Sequence, residues 1–183
     1  MPGLDDNESW YALRTFYAQE FKVSQYLQLC HLGHFIPMVL RSWQKADGTL
    51  VKGKLPAVHN LIFIRKDRPK AEIRALLAAC PYPVSVYHHI DNEDHWYEIS
   101  NNDLMDLRML CDDVFHPKFI SQEESEIKAG TEVYVKCGPF KGMTGKMIRK
   151  NKKYYLVKTF VGLGVIVNVS RWCCEPLREG GNK

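Results

Sequence analysis

Imidazole and carboxylate side chains are most concentrated in residues 88–95, which read HHIDNEDH. Such side chains can bind metal ions or act as general bases. Their spacing matches neither an HExxH motif nor any repeated pattern of ligands. We therefore expect a surface loop beside the end of a strand, with no metal site and no cofactor.

Thiols are the second candidate for chemistry, because the chain has six cysteines. Three of them, Cys30, Cys80 and Cys111, fall on the apolar stripes of predicted helices, where a free thiol packs as a small hydrophobic group. No CxxC pair occurs, and the adjacent Cys173 and Cys174 are poorly placed to chelate one metal ion. We expect reduced, structural thiols, as is usual in a cytoplasmic protein.

The sequence motifs of common enzyme classes are missing. GxSxG, Walker A and GxGxxG do not occur, and GLG at 162–164 has no third glycine and no following helix. A Cys/His dyad would leave no motif of its own, so an enzyme stays open as the least favoured function. We expect a protein without catalytic activity.

Glycine and lysine are concentrated in residues 135–150, which read VKCGPFKGMTGKMIRK. Gly138, Gly142 and Gly145 fall between two strand-like runs. Glycine weakens a strand interior, because it loses the most backbone entropy and has no side chain to pack. The three glycines therefore indicate a turn after Gly138 and sharp bends at the other two positions.

Charge is divided unevenly along the chain. Residues 1–127 carry 13 Lys and Arg against 18 Asp and Glu, a net of −5, whereas residues 128–183 carry 12 against 3, a net of +9. This asymmetry indicates two modules with different partners. The basic module presents either a well-solvated face or a contact surface for nucleic acid or an acidic protein.

The first module, residues 8–112, has the element order β-α-β-β-α-β followed by a third helix. Strands are predicted over residues 10–16, 35–43, 60–65 and 84–89, the second and third of them joined as a long-looped hairpin. Ser100 is the expected N-cap of the third helix, over 101–112. This order is typical of the ferredoxin-like arrangement, a small antiparallel sheet with helices on one side.

Residues 113–127 have no sustained period, and we expect a linker there. From 128 to 178 the apolar period changes to 2, over several short strands separated by KNKK and VGLG turns. Such a pattern predicts a compact SH3-like β-barrel. The expected fold class is therefore α+β, in two domains.

Several segments resemble the NusG family. WYALRTF at 10–16, EFKVSQYL at 20–27 and HNLIFIR at 59–65 resemble its N-terminal (NGN) domain, and residues 128–150 resemble the KOW motif that follows it. The KOW core is matched by Gly138, Pro139, Phe140, Gly142 and Gly145. Ribosomal proteins share the KOW motif, so the ordered pair of modules is the more specific feature.

Within the family, the chain is similar to specialised paralogues. Asn60 stands where the general factor usually has glycine, as in RfaH-type proteins. VHNLIFI and the tail SRWCCEPL resemble UpxY-like antiterminators, which serve surface-polysaccharide operons. The resemblance implies a transcription elongation or antitermination factor that suppresses pausing or termination.

The resemblance also implies a partner surface, on which the NGN domain docks to the clamp helices of RNA polymerase. The matching positions are Val58, Asn60, Leu61 and Phe63. Because side chains alternate along a strand, Leu61 and Phe63 share one face, and Ile62 and Ile64 share the other. We expect one of these two pairs in the core and the other at the partner surface. The alternative is that all four of these side chains are buried. Val58–His59 replaces the family's aromatic-proline pair, and Leu61 replaces its tyrosine, so the site is less aromatic.

DNA or nascent RNA is the second expected partner. The cations that could approach it, or that could simply be solvated, are Arg14, Lys22, Lys45, Lys52 and Lys54. In the KOW domain, Phe160 matches the phenylalanine of the family's Phe-Gly-Arg partner loop, but FVGLG has no arginine. The link to NusE or to Rho is therefore not carried over.

An alternative function is a KOW-type RNA-binding or ribosome-associated module for which the N-terminal domain is a scaffold. No apolar run approaches the roughly 20 residues that span a bilayer, and the acidic N-terminus does not resemble a signal peptide. We expect a cytoplasmic monomer without membrane contact.

Overall fold

The computed structural model describes residues 8–177. They form two compact units, which divide between Cys111 and Asp112. The fold is mixed α/β, mostly strands with four α-helices. None of the helices in this part of the chain is long and apolar enough to span a membrane. Residue 178, the expected end of the second module, lies outside the described residues.

The first unit contains nine strands and three helices among its described residues. They are β1 (Ser9–Thr15), α1 (Glu20–Leu29), β2 (His34–Phe35), β3 (Met38–Gln44), β4 (Leu50–Pro56), β5 (Leu61–Arg65), α2 (Lys70–Ala78), β6 (Val84–Val86), β7 (His88–His89), β8 (Asn92–Trp96), β9 (Glu98–Ser100) and α3 (Asn101–Leu110). The main sheet has the antiparallel order β2-β5-β1-β6, and β9 also pairs with β1.

One face of this sheet packs against α1 and α2. Tyr11 and Leu13 of β1 and Ile62 and Ile64 of β5 point to that face, because Tyr11 pairs with Ile64 and Leu13 with Ile62. The helices contribute four side chains that are likewise buried, Val23, Leu27, Ile73 and Leu77. Cys30 and Cys80, expected on the apolar stripes of these helices, instead follow the helix ends and are half-buried.

The other face of the sheet is partly covered by α3, so the helices are not all on one side as expected. The guanidinium carbon of Arg108 lies 5.5 Å from the ring centre of Trp10 and 5.0 Å from that of Phe35. Phe35 in turn stacks on Phe63 at 6.4 Å. The helix begins as predicted, since the Ser100 hydroxyl accepts a hydrogen bond from the Asp103 N–H.

The strand predicted over 35–43 is broken near Pro37 into β2 and β3. Only β2 pairs with β5, whereas β3 pairs with β4 over seven residue pairs, from Met38–Pro56 to Gln44–Leu50. The expected long loop is therefore a second hairpin, β3–β4. Proline cannot donate to a sheet, which explains the break.

Two further expectations are corrected near residue 90. The strand predicted over 84–89 ends at Val86 and resumes as the short β7. DNED, expected as a turn, mostly belongs to β8, which pairs with β7. The cluster HHIDNEDH is thus the tip of a small hairpin.

The second unit contains the remaining elements. They are β10 (Lys118–Ile120), α4 (Gln122–Glu126), β11 (Thr131–Val135), β12 (Thr144–Lys150), β13 (Lys153–Phe160), β14 (Leu163–Val169) and β15 (Cys174–Pro176), with 3-10 turns at Asp113–Phe115 and Arg171–Cys173. The six strands form one sheet of order β10-β14-β13-β12-β11-β15. The turns predicted at KNKK and VGLG are confirmed.

The segment 113–127, expected as a linker, is instead built into this second unit. Its strand β10 pairs with β14, and the Ser125 hydroxyl of α4 lies 2.9 Å from the Thr159 hydroxyl of β13. Phe115 packs on Phe140 with ring centres 4.7 Å apart. The short strand β10 and the short helix α4 contain too few apolar residues to give a detectable hydrophobic period in the sequence.

The glycines of the 135–150 stretch have two different structural causes. Gly138 and Gly142 have φ of +85° and +97°, in the region that favours glycine, and they shape the turn between β11 and β12. Gly145 lies inside β12 and not at a bend, and a Cβ there would be 2.6 Å from the Val157 carbonyl oxygen of β13. The close approach of two backbones therefore requires glycine at this position.

Gly145→Ala should destabilise the second unit by about 2 kcal/mol or more, because the β12–β13 backbones must separate to admit the methyl group. Hydrogen exchange of the β12–β14 amides measures this loss. Gly142→Ala is the matched control: its Cβ meets nothing within 4 Å, so only backbone strain of about 1 kcal/mol is expected. Equal protection in Gly145→Ala and the unchanged chain would contradict the packing argument.

Candidate functional site

The loop before β5 carries two of the four residues matched to the family's partner surface. Asn60 has φ of +64°, a left-handed conformation that asparagine and glycine tolerate best. This conformation explains why a residue of either type suits the position. Val58 and Asn60 are half-buried, and His59 between them is exposed.

A buried carboxylate holds this loop in place. Glu20, at the start of α1, is 1% exposed, and its Oε1 accepts a hydrogen bond from the Asn60 N–H. The same oxygen lies 3.4 Å from Nδ1 of His59. The side-chain oxygen of Asn60 accepts a hydrogen bond from the Ala18 N–H at 3.0 Å. The backbone carbonyl of Asn60 accepts one from the Thr15 N–H at 3.1 Å. The loop is therefore tied to both β1 and the β1–α1 turn.

The other two matched residues lie within the sheet. Leu61 and Phe63 are 1% and 0% exposed, and Ile62 and Ile64 on the opposite face are equally buried. Of the four matched positions, only Val58 and Asn60 therefore offer side-chain surface to a partner. Arg14, paired with Leu61 across β1 and β5, is exposed on the Leu61 face.

Farther along the same face there is a cavity of about 440 Å³ between the sheet and α3. Its lining includes Trp10, Arg65, Met105 and Arg108. The indole Nε1 of Trp10 is buried without a hydrogen-bond partner among the described residues. The face thus offers an aromatic and cationic depression beside α3 and an exposed arginine near the Val58–Asn60 loop.

The five predicted nucleic-acid residues are not one cluster. Lys52 and Lys54 lie on the same face of β4, and Lys45 begins the turn of the β3–β4 hairpin. Arg14 lies on β1 with its guanidinium carbon 5.4 Å from the Phe16 ring centre. Lys22 lies on α1, with Nζ 5.8 Å from the ring centre of Tyr82. The structure therefore groups the three hairpin lysines and separates them from the other two.

In the second unit, the predicted KOW residues form a tight turn. The Gly142 N–H donates to the Val135 carbonyl at 2.8 Å, and the Met143 N–H donates to the Phe140 carbonyl at 3.0 Å. Phe140 is buried and packs on Phe115. Pro139 lies within this turn. Phe140 therefore shapes the core of the unit, whereas Pro139 is exposed.

Phe160, the residue matched to the family's partner loop, lies at the end of β13 and is 6% exposed. The Lys158 Nζ lies 5.6 Å from its ring centre. A partner can contact this ring only at its rim. The loop that follows contains Gly162 at φ of +84°.

The histidine cluster does not converge on a metal position. His89 stacks on His95 with ring centres 4.3 Å apart and on Tyr97 at 3.8 Å. Among the described residues, no group of three or more His, Cys, Asp or Glu side chains is arranged to hold a metal ion. The imidazoles therefore pack against each other and against tyrosine.

Comparison with known families assigns the first unit. The family model described as "Transcription termination factor nusG" matches residues 8–108, more than half of the chain. The chain belongs to the NusG family. Members of this family are transcription factors and not enzymes, and they generally bind RNA polymerase. No curated protein matches the chain.

Glu20 is the residue at this site that sequence reasoning missed. An acidic residue in the first turn of a helix is common, because it is favoured by the helix dipole. The pattern therefore gave no sign that this carboxylate is buried and bound to a backbone N–H 40 residues away.

Replacing Glu20 tests the anchor. Glu20→Ala should destabilise the first unit by about 2 kcal/mol, because the Asn60 N–H loses its acceptor. Glu20→Gln should lose less than half as much unfolding free energy as Glu20→Ala, since its amide oxygen can still accept the hydrogen bond. Urea denaturation and exchange of the Asn60 amide measure both effects. Equal stability of the Ala and Gln variants would show that the hydrogen bond is unimportant.

Proposed function

We propose that this chain is a specialised NusG paralogue of the RfaH and UpxY type, which binds the RNA polymerase clamp and suppresses pausing or termination. The observation that carries the proposal is the Val58–Asn60 loop, fixed by Glu20 at the edge of a family-matched domain. A fixed loop can bind without first losing conformational entropy.

The architecture supports this proposal at the level of domains. The order β2-β5-β1-β6, with α1 and α2 on one face, supports a ferredoxin-like NGN domain ending near residue 112. The six-stranded antiparallel sheet with its glycine turn supports a KOW domain of the SH3-like barrel type over residues 128–178. Residues 113–127 join the two domains and contribute β10 and α4 to the second.

The proposed clamp contact consists of Val58 and Asn60 on the surface, with Leu61 and Phe63 beneath them. The buried pair supports the shape of the surface and does not itself touch the polymerase. Exposed Arg14 lies on the Leu61 face and gives it a positive charge, which favours an acidic segment of the clamp. Preferential binding to the closed clamp would shift polymerase away from its paused state.

The β3–β4 hairpin is the proposed contact for DNA. Lys52 and Lys54 project from one face, and Leu40, which pairs with Lys54, is exposed on that face. Lysine ammonium groups neutralise phosphates without reading sequence. The hairpin would therefore hold DNA near the polymerase. The proposed service to surface-polysaccharide operons rests on the resemblance of VHNLIFI and the tail SRWCCEPL to UpxY-like proteins.

A second candidate function is RNA binding by the second unit, and one observation favours it. The β12–β13 turn exposes Arg149, Lys150, Lys152 and Lys153. The guanidinium carbon of Arg149 lies 5.6 Å from the ring centre of Tyr154. A cation beside an aromatic ring is typical of single-strand binding surfaces.

The clamp proposal predicts that Val58→Asp weakens binding to RNA polymerase of the same organism by about tenfold, because a desolvated carboxylate opposes an apolar contact. Purified polymerase and labelled chain give the affinity, and pausing on a cognate leader gives the activity. Gln25→Asp, exposed on α1, is the matched control and should change neither. Failure of the unchanged chain to bind polymerase would overturn the proposal.

Salt dependence separates the two nucleic-acid surfaces. Lys52→Gln with Lys54→Gln should reduce the salt slope of duplex DNA binding by about 2, since each phosphate contact contributes roughly 0.9. Ser42→Gln, which pairs with Lys52 on the same face, changes size without charge and should leave the slope unchanged. If instead only Lys150→Gln with Lys152→Gln lowers the slope, and RNA is the tighter ligand, the second candidate is favoured.

A further inference from the structure

Two thiols of the second unit lie closer together than ordinary packing of side chains would bring them. The Sγ atoms of Cys137 and Cys173 are 2.7 Å apart, with Cys137 donating to Cys173. A covalent S–S bond is about 2.05 Å long, so a small side-chain rotation is enough to form one. We propose that Cys137 and Cys173 are a reversible dithiol–disulfide pair that fixes the start of the glycine turn.

The chain segments that carry the two cysteines are tied together by backbone hydrogen bonds. Val135 pairs with Cys174 in the β11–β15 ladder, and the Lys136 N–H donates to the Cys173 carbonyl at 2.8 Å. The Lys136 ammonium adds an ion pair with Glu175 at 2.7 Å. Because these contacts adjoin the thiols on both strands, the bond can form without movement of the strands.

Exposure favours this pair over the other thiols. Cys137 is exposed and Cys173 half-buried, so an oxidant in solution can reach both. Cys174 is 4% exposed, and its thiol points to the Ser170 carbonyl at 3.5 Å.

Oxidation of the pair by a peroxide is balanced as follows. One thiolate attacks the O–O bond and becomes a sulfenic acid, while the departing oxygen takes up a proton to leave as water. The second sulfur then attacks the sulfenic sulfur, and a second water leaves. The two thiols lose two electrons and two protons, and one hydrogen peroxide becomes two waters. A small dithiol reverses the change by exchange.

The consequence is a covalent link between β11 and the segment before β15. The next residue after Cys137 is Gly138, which opens the turn that carries the KOW residues. The link joins two cysteines that are 36 positions apart in the chain. Such cross-links stabilise a domain mainly by restricting its unfolded chain.

The pair has a definite response to pH. The hydrogen bond to Cys173 comes first, and burial second, among the causes that raise the pKa of Cys137 above its usual value. The raised pKa favours the thiol form of Cys137, and oxidation should accelerate with rising pH as the Cys137 thiolate forms.

The test treats the full chain with hydrogen peroxide, alkylates the remaining thiols and measures intact mass. The unchanged chain should lose two alkylation sites as a monomer, with a mass lower by two hydrogen atoms before alkylation. Trypsin should release the peptides CGPFK (137–141) and WCCEPLR (172–178) as one linked species. The melting temperature of the second unit should rise by about 10 °C and return with dithiol.

Adjacent cysteines supply the matched control. Cys174→Ser should still lose two thiols, whereas Cys137→Ser and Cys173→Ser should form no intramolecular link. If Cys174→Ser does not fold, fragmentation of the linked peptide from the unchanged chain identifies the bonded sulfur directly. Six alkylatable thiols after peroxide, a link through Cys174, or only intermolecular dimers would each overturn the proposal. None of these outcomes depends on polymerase or nucleic acid.

Discussion

The pairing of β1 with β5 is the constraint on which the first unit depends, because β5 is apolar on both faces. A strand with Leu61 and Phe63 on one side and Ile62 and Ile64 on the other must be covered twice. Helices α1 and α2 cover one face, and Phe35 and α3 lie on the other. Within β5 itself, this arrangement leaves the four apolar side chains covered, and the preceding loop keeps half-buried residues at the surface.

That loop depends in turn on a polar interaction under the surface. Asn60 has a backbone conformation that few residues tolerate, and its N–H donates a hydrogen bond to Glu20. Burying a carboxylate is costly unless it is hydrogen-bonded. Glu20 is buried with such a hydrogen bond, and this bond holds the half-exposed loop in place. Such an arrangement is typical of a binding surface whose shape must be set before the partner arrives.

The second unit is constrained by close approach of backbone atoms and of sulfur atoms. Gly145 allows β12 to lie against the Val157 carbonyl, and the β11–β15 ladder brings Cys137 to Cys173. In both cases the separation is set by strand pairing and not by the residues themselves. A small sheet with a tight turn thus has a position that tolerates only glycine and a pair of thiols poised to react.

The sequence by itself determined the three helices of the first unit, most strands and the family, because apolar spacing and motifs such as HNLIFIR act over short distances. The Ser100 cap and the turns at KNKK and VGLG were likewise local. Only the tertiary structure decided that Leu61 and Phe63 are covered, that residues 113–127 join the second sheet, and that Glu20 meets Asn60. Each of these depends on contacts between residues far apart in the chain, about which a local pattern carries no information.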